Sequence, residues 1–128
     1  MSKNVIIVDD SKTIIATAEM ALDPMVQEGI INFKAYTNPD ELLSDLQQEI
    51  VDFDLLISDI NMPQMNGLDL SAEIKKIERL KKKPILILTT ESSAEMKQRG
   101  KSIGVTGWMV KPFDGNKLAK SVKMVLGL

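Results

Sequence analysis

A chain of 128 residues has room for one domain, expected to run over residues 1–128, with a proper apolar core. Its apolar and charged fractions are ordinary for a globular protein, and a net charge of −2 gives no sign of a nucleic-acid-binding surface. With no cysteine and no histidine, it can form no disulfide, thiolate metal site, histidine ligand, histidine base or phosphohistidine of its own. No apolar run approaches membrane-spanning length. Ser2-Lys3-Asn4 leads straight into Val5, so no signal peptide is expected, and a cytoplasmic location follows by default. The 8 methionines read as flexible core filler rather than ligands.

Val5-Ile6-Ile7-Val8 is an apolar run that predicts a central strand ending in Asp9-Asp10. Ser11 can cap a helix carrying Ile14, Ile15, Ala18, Ala21 and Leu22 on one face, and Asp23-Pro24 is expected to stop it. Ile30 to Tyr36 alternates, with Ile31, Phe33 and Ala35 on one face, as in a strand with a wetter side. Asn38-Pro39 reads as an N-cap with proline in the first turn. Leu42, Leu43, Leu46 and Ile50 supply the stripe of that helix.

Leu55-Leu56-Ile57-Ser58 is a third buried strand, and it delivers Asp59 at its end. Pro63 and Gly67 then turn the chain out of the sheet. The next helix carries Leu70, Ile74 and Ile77 inward and is expected to close at Lys81-Lys82-Lys83-Pro84. Ile85 to Leu88 is a fourth strand, ending at Thr89-Thr90. Ser92-Ser93-Ala94-Glu95 offers a capping box to a polar fourth helix, which Gly100 should make the least stable of the set. Gly107 to Val110 is a fifth strand, ending at Lys111-Pro112. Asp114 can cap a last helix that buries Leu118, Val122 and Val125.

Strand and helix alternate five times, which implies an α/β fold: a doubly wound three-layer sandwich around a parallel five-stranded sheet. In such a sheet the carboxyl ends of the strands lie on one edge, and ligands bind where the strand order reverses. With the order 2-1-3-4-5, Asp9, Asp10 and Asp59 meet there, flanked by Thr89 and Lys111. Crowded carboxylates repel, so they take up a proton or a cation, and oxygen-only ligation favours Mg²⁺ or a similar hard ion. A carboxylate can also act as a nucleophile and form an aspartyl phosphate. A hydroxyl and an ammonium beside it would hold phosphoryl oxygens.

Taken in order, Val-Asp-Asp-Ser at 8–11, Asp-Ile-Asn-Met-Pro at 59–63, Gly67, Thr89 and Val-Lys-Pro-Phe at 110–113 carry a resemblance that covers the chain. It resembles a response-regulator receiver domain, most closely the family's single-domain chemotaxis regulators, with their flavodoxin-like (βα)5 fold. The resemblance implies that Asp59 is the phosphoacceptor. It implies that Asp9, Asp10, Asp59 and the backbone carbonyl of Asn61 hold Mg²⁺. Lys111 would pair with the phosphoryl group through a Lys111-Pro112 bond that is commonly cis, Thr89 would be the switch hydroxyl, and Trp108 would occupy the switch aromatic position. The implied partners are a histidine kinase as donor, then a flagellar motor switch protein or a phosphotransfer protein, with a phosphatase to reset the signal. A monomer is implied, with no nucleic acid and no membrane insertion. The implied chemistry is the domain's own phosphorylation and autodephosphorylation, without turnover of other substrates. Three features depart from the family pattern: Trp108 where Tyr or Phe is usual, Thr90 where a small residue is common, and a longer Asp23–Gly29 stretch that should alter only a loop.

Each residue also has a plain reading. Asp9-Asp10 favours a helix N-terminus, Asp59 suits a loop, and Thr89 a strand end. Lys111 and the row Lys117, Lys120 and Lys123 read as solvated charges, the row alternatively as a docking surface for an acidic segment. Only together on one edge do the first five residues favour function. Three rivals remain at this point. A phosphorelay intermediate uses the same site. An aspartyl-nucleophile phosphatase would want a second acid where Asn61 stands. A flavin module would need a phosphate-cradling loop after the first strand, where Asp9-Asp10 would repel a phosphate.

Overall fold

A computed structural model describes residues 2–128. The strands are β1 (Lys3–Val8), β2 (Ile31–Tyr36), β3 (Leu55–Ser58), β4 (Ile85–Thr89) and β5 (Gly107–Val110). The helices are α1 (Lys12–Gln27), α2 (Pro39–Gln47), α3 (Gly67–Lys75), α4 (Ala94–Ile103) and α5 (Gly115–Leu126). The strands form one sheet in the order β2-β1-β3-β4-β5, every pair parallel. This is the architecture expected from the alternation of the sequence.

Alternating side chains of the strands divide the core into two layers. Val5, Ile7, Leu55, Ile57, Leu86 and Leu88 pack on α1 and α5. Ile6, Val8, Leu56, Ile85 and Ile87 face the other way, onto α2 and α3. Burial on both faces explains why β1, β3 and β4 read as unbroken apolar runs. β2 is an edge strand and wetter: Ile31 is buried and Phe33 partly so, but Ala35 is exposed rather than on a buried face.

Several expected boundaries differ. Pro24 does not stop α1, which runs on to Gln27, so the Asp23–Gly29 stretch lengthens a helix rather than a loop. Proline removes only its own N–H bond to the carbonyl four residues back. Here that carbonyl belongs to Met20, on a face where Met20 and Pro24 are both exposed and water can replace the bond. Leu22 and Met25 stay buried on the inner face, and Gly29 at φ 73° ends the helix region. Ile50 is not part of the α2 stripe: α2 ends at Gln47, Glu49 turns at φ 60°, and Ile50 is 62% exposed. α3 ends at Lys75, so Ile77 and the Lys81–Lys83 run lie in turns beyond it. The α4 cap is Ser93, whose Oγ accepts from the Met96 N–H, so the Ser92–Glu95 capping box is not made. Asn38 caps α2, with Pro39 in the first turn, and Asp114 caps α5, as the sequence predicts.

Candidate phosphoryl and metal site

The site is built at the carboxyl ends of β1 and β3. The Asp9 N–H donates to Tyr36 O and the Asp59 N–H to Val8 O, both at 3.1 Å, so each acid continues the pairing of its strand by one residue. Asp9 is buried, 1% exposed, and its carboxylate is held at both oxygens: the Ser11 N–H donates to Oδ1 (2.9 Å) and Lys111 Nζ to Oδ2 (2.7 Å). Burial pushes the Asp9 carboxyl above the usual range, against the pull of Lys111 and the Ser11 N–H. Asp10, beside it, is exposed at the mouth.

Asp59 is 6% exposed. Its Oδ1 accepts the Ile60 N–H at 2.7 Å, while Oδ2 lies 3.4 Å from Lys111 Nζ. One carboxylate oxygen of each of Asp9, Asp10 and Asp59 comes within 4.8 Å of the others. The fold therefore brings the neighbouring acids Asp9 and Asp10 together with Asp59 and the Lys111 ammonium, which lie far away along the chain. Gly67 closes the back of this loop: its N–H donates to Ile60 O at 2.8 Å, and an ideal Cβ there would lie 1.8 Å from Asp59 O. Only glycine lets the start of α3 approach so closely.

Thr89 and Trp108 stand one step away. Thr89 is fully buried, and its Oγ1 accepts the Glu91 N–H at 3.1 Å. Trp108 is half-buried, and its indole N–H donates to Glu91 O at 2.9 Å. Asn61 turns its side-chain amide to Glu91 Oε1 at 3.2 Å. Glu91 thus ties Thr89, Trp108 and Asn61 together, and nothing in the sequence singles it out. The Lys111-Pro112 bond is cis, as the resemblance implied.

The donor set suits a hard cation. All three candidate side-chain ligands are carboxylates, the chain has no histidine or cysteine, and their oxygens are a small adjustment from sharing one ion. Octahedral Mg²⁺ with ligands at about 2.1 Å needs them within about 4.2 Å of one another. A cavity of about 400 Å³ lies at the opposite, amino end of the strands, lined by Asn4, Asn32, Phe33 and Ile50, and shares no residue with this site.

Comparison with known proteins agrees with this geometry. A family model for the response regulator receiver domain matches residues 5–123. Chemotaxis protein CheY1 of Helicobacter pylori is 32% identical over 122 residues, covering 95% of this chain and 95% of CheY1. The probable transcriptional regulator ycf29 of Pyropia yezoensis is 34% identical over 119 residues, 90% of this chain, which spans only 53% of that relative's length. The solved structure of chemotaxis response regulator CheY4 of Vibrio cholerae superposes with a TM-score of 0.85 at 37% identity, covering 98% of this chain and 100% of that one. No helix among the described residues is long and apolar enough to cross a membrane. By the match of its sequence and its fold, the chain belongs to the CheY-like receiver domains of two-component response regulators.

Proposed function

We propose that Asp59 accepts a phosphoryl group from the phosphohistidine of a partner histidine kinase, and that residues 1–128 act as one receiver unit. The observation that carries this reading is the convergence of Asp9, Asp10 and Asp59 within 4.8 Å, with the Lys111 ammonium 3.4 Å from Asp59. Asp59 Oδ2 is the nucleophile, because Oδ1 is occupied by the Ile60 N–H. A bond forms from Oδ2 to phosphorus as the phosphorus–nitrogen bond breaks, and the electron pair returns to the donor imidazole. Lys111 neutralises charge on the arriving group. Thr89 Oγ1 spends a lone pair on Glu91 and keeps its hydroxyl proton for a phosphoryl oxygen. Mg²⁺, held by Asp9, Asp10, Asp59 and the Asn61 backbone carbonyl, would supply further charge neutralisation when bound. The domain's chemistry is limited to this transfer and to hydrolysis of its own acyl phosphate. Asn61 offers no acid to drive turnover of other substrates.

Output passes to a partner through the surface of α4, β5 and α5. The similarity to CheY1 and CheY4 favours control of a flagellar motor switch protein in chemotaxis. Phosphotransfer profiling against the host's histidine kinases tests the reading: rapid Mg²⁺-dependent labelling by one kinase is expected, and labelling by none overturns it. Pull-down of the phosphorylated domain should then recover the motor switch protein. Recovery of a histidine phosphotransfer protein instead would make it a relay intermediate.

A further inference from the structure

Helix α4 is polar and largely exposed, and the one residue it fully buries is Gly100. An ideal Cβ at Gly100 would lie 3.0 Å from Trp108 Cζ3 and 3.1 Å from Val105 Cγ2, closer than a methyl group tolerates without a neighbour moving. The indole is the neighbour that cannot yield without straining a bond, whereas Val105 is held only by its backbone and its side chain can turn aside. The indole is anchored through its N–H to Glu91 O at 2.9 Å. Val105 follows Gly104, at φ 100°, and its N–H donates to the carbonyl of Gly100 itself at 3.0 Å.

We infer that Gly100 is the positioning residue of Trp108: the bare backbone of α4 is a seat for the benzo ring, and the seat keeps the indole N–H on the Glu91 carbonyl. The same Glu91 donates its N–H to Thr89 Oγ1 at 3.1 Å. Contact therefore runs without a break from α4 through the indole and the β4–α4 loop to Thr89. A larger ring at position 108 is matched by a missing side chain at position 100. The consequence for signalling rests on the proposed role of Asp59, but the seat itself does not.

Helix propensity gives the test its sign. In an open helix interior, glycine to alanine stabilises, because alanine loses less backbone freedom on folding. In the parent protein, Gly100→Ala is expected to do the reverse. It should lower the melting temperature, shift Trp108 emission to the red, and speed solvent exchange of the indole N–H relative to the parent, as measured by NMR. In a Trp108→Ala background the seat is empty, and the same substitution should raise the melting temperature. Opposite signs in the two backgrounds measure the coupling between residues 100 and 108. A rise in both backgrounds, with the indole resonance and emission of the Gly100→Ala single variant unchanged, would overturn the inference. All of these measurements use the unphosphorylated protein, so their failure leaves the assignment of Asp59 standing, and failure of Asp59 labelling leaves the seat standing.

Discussion

Lys111 Nζ is 2.7 Å from Asp9 Oδ2 and 3.4 Å from Asp59 Oδ2, so the ammonium that follows β5 is bonded more closely to the acid after β1 than to the one after β3. A divalent cation entering among the acids must share Asp9 with it. Lys111→Ala removes the competitor and should tighten Mg²⁺ binding several-fold. Without Mg²⁺ the variant should lose up to about 3 kcal/mol of stability, because Asp9 remains buried with only the Ser11 N–H as partner. Mg²⁺ should raise the melting temperature of both proteins by binding the native state. Asp10→Asn should raise the ion-free melting temperature and blunt that response. An unchanged Mg²⁺ midpoint in Lys111→Ala would show that the ammonium does not compete at Asp9.

Gly67 is a separate point of close approach. Its ideal Cβ would sit 1.8 Å from the backbone oxygen of Asp59, and neither segment is the end of a flexible side chain. Gly67→Ala should cost about 3 kcal/mol in urea unfolding and slow phosphorylation of Asp59, because the loop bearing the acid must shift. A variant as stable as the parent would mean that the β3–α3 loop is free to relax.

Tyr36 provides a pH test away from the site. Its O–H donates to Asp45 Oδ2 at 2.7 Å. Burial, and then the neighbouring carboxylate, push the phenol above its ordinary value. The fold holds the phenol neutral while the unfolded chain ionises it, so stability from this group is full below about pH 10 and is lost as pH rises further. Tyr36→Phe should cost about 1 kcal/mol at pH 7, and the deficit should shrink above pH 10. Urea unfolding from pH 7 to 11 checks this. A deficit that stays constant would show that Tyr36 ionises as readily folded as unfolded.

Trp108, the only tryptophan, reports on the switch without labelling. It already donates to Glu91 O and rests on Gly100, and a packed interior resists a further shift of so large a ring, so only a partial movement is expected on activation. Beryllium fluoride with Mg²⁺ should change its emission and iodide quenching modestly in the parent and not at all in Asp59→Asn. Thr89→Ala should still bind the mimic and lose most of the change. A flat signal in the parent, with binding confirmed independently, would reduce Trp108 to a packing residue.

The sheet was legible because its three inner strands are buried on both faces and must be apolar throughout. Once their order is assumed, the acids that end β1 and β3 fall side by side without further information. Boundaries were less legible where a local signal depends on its surroundings. Pro24 looks like a stop until it is placed on the exposed face of α1, beside the equally exposed Met20, and Ile50 fits the α2 stripe until Glu49 turns the chain at positive φ. Ser92 and Ser93 offer rival caps, and only the path of the loop selects Ser93. Glu91 and Gly100 were out of reach for a different reason. Glu91 links Thr89 to Trp108 through its backbone N–H and carbonyl, which every residue type has. Gly100, a propensity defect on paper, makes sense only beside a ring placed there by β5.

The central claim is that Asp59 is the phosphoacceptor, and direct labelling tests it best. Incubation with a small acyl-phosphate donor and Mg²⁺, followed by intact-mass measurement, should add one phosphoryl group that is acid-stable and base-labile. Chelation should abolish the addition, and so should Asp59→Asn. Full labelling of Asp59→Asn, with the same Mg²⁺ dependence as the parent, would contradict it.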